Sequence, residues 1–178
     1  MQRIGYRSVI CFTLIMLSGC SSQGINQYAE TTPALDLQNF FNGNLQAYGM
    51  LQNRSGAMTR RFVASIEASW EGDRGTLLEE FHFDDGEIQY RTWVLTNMGN
   101  GKYVGRADDV IGEAKGSVVG SVFQWQYLLD VPYGDGSIVV NLDDWLYLVD
   151  ERHLINKTRL TKFGFRVGEL TLVIEKSG

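Results

Sequence analysis

The chain has 178 residues, of which 44% are hydrophobic and 21% charged, with a formal net charge of −5; that is enough for one domain with a substantial core. Its acidic balance argues against nucleic acid as a partner and against electrostatic docking on anionic lipid. Both cysteines, Cys11 and Cys20, lie close to the N-terminus. The body beyond them therefore has no disulfide, no thiolate metal site and no Cys nucleophile.

Residues 1–7 carry Arg3 and Arg7 and no acid, and residues 8–17 turn apolar. A basic start, a short apolar middle and small residues at the end predict a secretory signal peptide. The apolar run is shorter than the roughly 20 residues a spanning helix needs. The run ends in Leu17-Ser18-Gly19-Cys20, which resembles the lipobox of bacterial lipoproteins. That resemblance implies cleavage before Cys20, a diacylglycerol on its thiol and a further acyl chain, such as palmitate, on the new amino group. Two or three chains anchor stably where one is marginal, since each buried CH₂ contributes about 0.8 kcal/mol. Ser21, where an Asp would imply inner-membrane retention, implies the outer membrane and a periplasm-facing body. Loss of residues 1–19 leaves 14 basic against 21 acidic residues, a net charge of −7. Membrane contact is then expected through the acyl anchor on Cys20 alone. Residues 20–34 are polar and end near Pro33, which predicts a flexible tether. Residues 35–178 form the expected single domain.

The body opens on one helical candidate, residues 36–41, with Asp36 as N-cap and Gly43 as terminator. It would act as a short lid or plug. From Leu45 onward the pattern alternates with period two. Strands are predicted at 46–53, 57–70, 75–84, 87–96, 101–108, 111–118, 121–131, 136–143, 145–151, 153–162 and 166–176. Between them fall turn signals such as Arg54-Ser55-Gly56, Asp85-Gly86 and Gly134-Asp135-Gly136. Many short strands without crossover helices favour a sheet closed on itself, because an open one would expose long edges. The predicted fold is a mainly β, antiparallel, lipocalin-like β-barrel with a short N-terminal helix; a β-sandwich is the alternative.

The hairpin at Asp85-Gly86 allows two registers. A two-residue turn sets Phe83 against Ile88 and Glu80 close to Arg91, with Phe81, Phe83, Ile88 and Tyr90 on one face. A three-residue loop sets Glu79 against Arg91 instead. In either register a carboxylate meets Arg91, and inside a barrel that pair could orient a ligand. Phe123, Trp125 and Tyr127 share one strand face, and Trp145 and Tyr147 alternate on another. With Arg91 and Trp93 they are candidate ligand-lining residues: Arg91, Trp93, Phe123, Trp125, Tyr127 and Trp145. They could equally form a filled core, which is the usual state of small barrels.

Asp143-Asp144-Trp145 reads as a turn beside a buried Trp, since adjacent Asp on an extended chain point to opposite sides. Asp84-Asp85 and Asp108-Asp109 read the same way. His82 beside Glu80 has the look of a general base but reads as a solvent-facing strand residue. His153 reads as surface, and Lys162 could sit at a barrel rim. No hydrolase, metalloenzyme or phosphate-loop signature occurs. No catalytic residue, metal or cofactor is expected, and the chain is not expected to be an enzyme.

Several stretches together resemble an uncharacterised bacterial lipoprotein family, domain-of-unknown-function family 3833. They are Phe40-Phe41-Asn42-Gly43, Arg60-Arg61-Phe62, the run from Leu78 to Gly86, Arg91-Thr92-Trp93, the run from Gly112 to Gly116, Asp143-Asp144-Trp145 and the run from Thr161 to Gly164. Order and spacing carry the resemblance over 35–178. It implies a small envelope β-barrel and no assigned activity. The expected function is binding of a hydrophobic or lipid-like ligand; the alternative is a structural or assembly role, with an envelope protein docked on the outer surface.

Overall fold

The computed structural model describes residues 24–177. The expected signal peptide, with Cys20 and Ser21, lies outside the described residues. Ten antiparallel strands close into one barrel in chain order: β1 (Gly43–Asn53), β2 (Met58–Glu71), β3 (Arg74–Phe83), β4 (Ile88–Asn97), β5 (Lys102–Arg106), β6 (Val110–Val119), β7 (Val122–Tyr133), β8 (Gly136–Leu148), β9 (His153–Lys162) and β10 (Phe165–Lys176). β1 and β10 form the seam, with Ala47 opposite Ile174, so no strand edge is left open. The barrel alternative is therefore realised, not the sandwich.

Alternation sets the inner wall. In β2, Phe62, Ala64, Ile66 and Ala68 are buried while Val63, Ser65 and Glu67 face out. The inner row of β7 is Phe123, Trp125, Tyr127 and Leu129. Predicted strands 136–143 and 145–151 are one strand, β8. Its inner row runs Val140, Leu142, Asp144, Leu146. The expected turn at Asp143-Asp144 is thus corrected: the apolar alternation continues straight through it.

One end of the barrel is plugged. Helix α1 (Leu37–Phe40) starts at Asp36, whose Oδ1 accepts from the Asn39 amide at 3.0 Å. Leu37, Phe40 and Phe41 are buried across the opening. Trp70 Nε1 donates to the Phe41 carbonyl at 2.7 Å and Gln38 Nε2 to that of Gly72 at 3.0 Å, locking plug to wall. The other end is the mouth, ringed by the β1–β2, β3–β4, β5–β6, β7–β8 and β9–β10 turns.

Residues 24–34 differ from the expected flexible tether. A 3₁₀ turn, Ile25–Tyr28, leads into a strap on the outer wall beside the plugged end. The Tyr28 ring meets Trp145 and Tyr147 at 6.2 and 5.9 Å between centroids. Ser121 donates its amide and hydroxyl to Thr31 Oγ1, both at 2.9 Å, and the Leu35 amide donates to the Gly120 carbonyl at 2.8 Å. Gly120 has φ +55°, and a Cβ there would stand 1.8 Å from the Tyr28 carbonyl oxygen. Only glycine fits both demands.

Candidate functional site

The β3–β4 turn decides what faces inward. Its loop is Asp84-Asp85-Gly86, with Gly86 at φ +88° and hydrogen bonds from the Gly86 amide to Phe83 O and from the Phe83 amide to Glu87 O. This is the three-residue hairpin with a left-handed third position. The register is therefore Glu79 opposite Arg91, and the two-residue register is corrected. Gly75, Leu77, Glu79 and Phe81 point in, as do Arg91, Trp93 and Leu95; Ile88 and Tyr90 are exposed.

A cavity of about 110 Å³ lies in the middle of the barrel, between the plug and the mouth. Its polar lining is Glu79, Arg91, Tyr127, Asp144 and Asn156. Its apolar lining includes Phe62, Phe81, Trp93, Trp125, Leu170 and Leu172. Trp93 and Trp125 stand 4.5 Å apart by ring centroid, and Trp93 meets Tyr127 edge-on at 5.3 Å. Gly105 makes room for this cluster: a Cβ there would lie 2.7 Å from Trp125 and 3.2 Å from Trp93.

Asp144 is 6% exposed. Its Oδ2 accepts from Trp125 Nε1 and from the Tyr127 hydroxyl, both at 2.9 Å. Its Oδ1 is buried and has no partner. Thr158 stands opposite in register but gives its hydroxyl to Asn156 Oδ1 at 3.0 Å. Glu79 Oε2 and Asp109 Oδ1 are also buried and unpartnered. Arg91 donates from Nε and Nη2 to Asp109 Oδ2 at 2.9 and 2.6 Å. The guanidinium is thereby committed to the β5–β6 turn, although Glu79 lies opposite it in the ladder.

These surroundings shift the protonation states. Burial pushes the Glu79 carboxyl from 4.5 up to about 7, against the pull of Arg91 and with the help of Asp109 and Asp144. Burial likewise raises Asp144 from 3.8 to about 6, despite the opposing pull of the nearby Thr158 hydroxyl and of the hydrogen bonds from Tyr127 and Trp125. For Arg91 burial disfavours the charge, but Glu79 and Asp109 outweigh it and hold the guanidinium above its ordinary value. Burial, then the Asp144 charge, raises the Tyr127 phenol well above its usual range, so it acts as a donor.

Of the residues singled out by sequence, Arg91, Trp93, Trp125 and Tyr127 line this cavity. Phe123 faces inward one layer nearer the plug, against Tyr103 and Trp125 at 5.8 and 5.3 Å. Trp145 is the correction. It lies on the outer face of β8, stacked on Tyr147 under Tyr28, with its indole N–H on Asp143 at 3.2 Å. Being one residue from inward-facing Asp144, it cannot point inward too. His82 and Glu80 pair on the outer wall at 2.7 Å, away from Glu79 and Arg91. Lys162 stands at the rim over the Phe163 ring. The sequence left Glu79 open between two registers, and Asp144 and Asp109 were not expected as buried acids. For two of them a signal existed: Leu77-x-Glu79-x-Phe81 and Leu142-x-Asp144-x-Leu146 each place one acid in an otherwise apolar inner row.

The fold and this site together define a plugged, antiparallel ten-strand barrel with acids buried beside aromatic rings. The chain belongs to a family described as "Protein of unknown function (DUF3833)", whose model matches residues 14–176. No curated protein matches the chain in sequence. Among solved structures it is similar to an S-type phycobiliprotein lyase from Guillardia theta, at TM-score 0.58 and 8% identity, covering 88% of this chain and 99% of the other. At that identity the likeness concerns the fold. A de novo designed fluorescence-activating β-barrel aligns at TM-score 0.42 and 11% identity, over 80% of this chain and 99% of the other.

Proposed function

We propose that the protein binds a small hydrophobic or amphipathic ligand inside its barrel, as a lipid-anchored, periplasm-facing lipoprotein of the outer membrane. The observation that carries the binding is the mid-barrel cavity: polar groups with unused hydrogen-bonding capacity, enclosed by aromatic rings. A buried acceptor without a partner costs on the order of 1–3 kcal/mol. A fold selected only for stability gains nothing by keeping such groups. The cavity alone has room for about four waters at ~30 Å³ each, less than the ~300 Å³ of ordinary ligand sites. It suits the head of a ligand. The body of the ligand would occupy the half-buried apolar wall toward the mouth, made by Phe81, Phe83, Leu160, Leu170 and Leu172.

Native mass spectrometry of the full-length chain, with organic extraction of the same sample, tests the reading. A stoichiometric small molecule is expected, lost in a Trp93→Ala, Tyr127→Ala double variant that still folds. A chain that carries nothing and fails to take up a neutral hydrophobic dye overturns it. The anchor is tested separately. Metabolic labelling with an alkynyl fatty acid is expected to mark the chain, and Cys20→Ser to abolish the label.

An outer-wall groove favours a second reading, docking of an envelope protein. It measures about 510 Å³ and runs over β10, β1, β2 and β3, lined by Tyr48, Met50, Val63 and Val173. It is larger than the inner cavity but is a surface feature, and no buried polar atom points into it. Crosslinking from Met50 and Val63 that recovers one protein at fixed stoichiometry would favour this reading.

A further inference from the structure

We propose that the ligand presents a protonated amine, or a similar multi-donor cationic head, to Asp144 and Glu79, and that the barrel selects against carboxylate-headed lipids. This rests on the ligand-binding reading above and names the class of ligand.

Three charged side chains line the cavity, Glu79 from β3, Arg91 from β4 and Asp144 from β8, and a fourth, Asp109 of the β5–β6 turn, pairs with Arg91. Three are acids and one is a base. The base is already paired, since two N–H groups of Arg91 converge on one oxygen of Asp109. The other facing titratable group, Tyr127, directs its proton to Asp144. The fully buried atoms of this set that lack a partner are all acceptors: Oδ1 of Asp144, Oε2 of Glu79 and Oδ1 of Asp109. A carboxylate head would add a fourth acid to a set whose single cation is already paired with Asp109. An ammonium brings three donors and the missing positive charge. Indole and phenyl faces around the cavity (Trp93, Trp125, Phe81) also suit a cation. A metal ion is a poor substitute, because among the described residues no three Asp, Glu or His side chains converge to hold one. The cavity of about 110 Å³ accepts an ammonium and its first carbons. The chain beyond would run toward Phe81, Phe83 and Leu170.

Three probes of one chain length separate the possibilities: dodecylamine, dodecanoate and dodecanol. Each is titrated into the full-length chain below its micellar concentration, read by tryptophan fluorescence and by calorimetry. Dodecylamine is expected to bind at least about tenfold tighter than dodecanoate at pH 7.5, with dodecanol between them. Asp144→Asn and Glu79→Gln should each weaken dodecylamine by about tenfold or more, the usual consequence of removing one partner of a buried charge pair, while leaving dodecanol within about twofold. Affinity for dodecylamine should also rise from pH 5 to pH 8, as the two acids ionise, while that for dodecanol stays level. Two variants guard against misfolding, and near-UV circular dichroism identifies a variant that has lost its packing. Equal or tighter binding of dodecanoate, or an amine affinity indifferent to both substitutions, overturns the amine proposal and leaves ligand binding standing. Failure of all three probes, with no ligand co-purified, removes the ligand-binding reading itself.

Discussion

The plugged end and the middle of the barrel are built from the same strands by opposite rules. At the plug, Leu37, Phe40, Phe41, Leu45 and Phe123 are buried apolar groups, and the polar atoms among them have partners, as Trp70 does in the Phe41 carbonyl. One layer toward the mouth, Asp144 and Glu79 each bury an oxygen with nothing to bond, as does Asp109 in the β5–β6 turn above them. Close packing secures the first region, while the second gives up stability where a binding site would need it. The contrast also shows where to perturb the molecule: removing packing at the plug should destabilise it, while neutralising a buried acid in the middle should stabilise it.

The largest effect is expected at the plug. Phe123→Ala leaves a cavity beside Tyr103 and Trp125 and should cost about 3–5 kcal/mol, read as a large drop in the denaturation midpoint. A loss under 1 kcal/mol would mean this end is not solidly packed. Glu79→Gln should act the other way in the ligand-free protein. The Glu79 carboxyl is raised from 4.5 to about 7, so the folded state holds its proton more tightly than the unfolded chain does. Its contribution is fully present below about pH 4.5 and is lost as pH rises to about 7, a fall on the order of 2–3 kcal/mol. Relative to wild type, the glutamine variant should therefore gain stability progressively over that window. Parallel stability–pH curves for the two proteins would show that Glu79 is not buried as described. Gly105→Ala should cost less, about 1–3 kcal/mol by overpacking, and should shift the tryptophan emission because Trp125 and Trp93 must move. The smallest effect is at the helix start: Asp36→Ala removes one cap bond and should cost about 1 kcal/mol.

The fold was legible in the sequence to the extent that one face was apolar. Alternation in β2 and β7 and the glycine-bearing turns define strands and closure, and Asp36 marks the plug. Register was less legible. At Asp84-Asp85-Gly86 the sequence suits a two- or a three-residue loop, and one step of slip exchanges the two faces of β4. Trp145 was misplaced for a related reason: a large aromatic looks like core until the parity of its strand is fixed, and parity came from Asp144, the residue that looked least like core. The strap escaped because its polar composition is that of a linker, while Tyr28 and Thr31 find their partners on β8 and the β6–β7 turn, far away in sequence. Arg91 was expected to meet a carboxylate across its own hairpin; the short contacts go to Asp109, which only the closed barrel brings near.

Closure of the seam sets the order in which the molecule can assemble. β1 and β10 pair from Leu45–Lys176 to Asn53–Gly168, contacts between nearly the two ends of the folded chain. Hairpins form from neighbours, but this ladder must gather well over a hundred residues before it is rewarded, so barrel folding should be slow and its last step the joining of these two strands. Leu170, Leu172 and Ile174, which complete the cavity wall, arrive with that step. A chain interrupted before β10 therefore has hairpins and open edges but no interior.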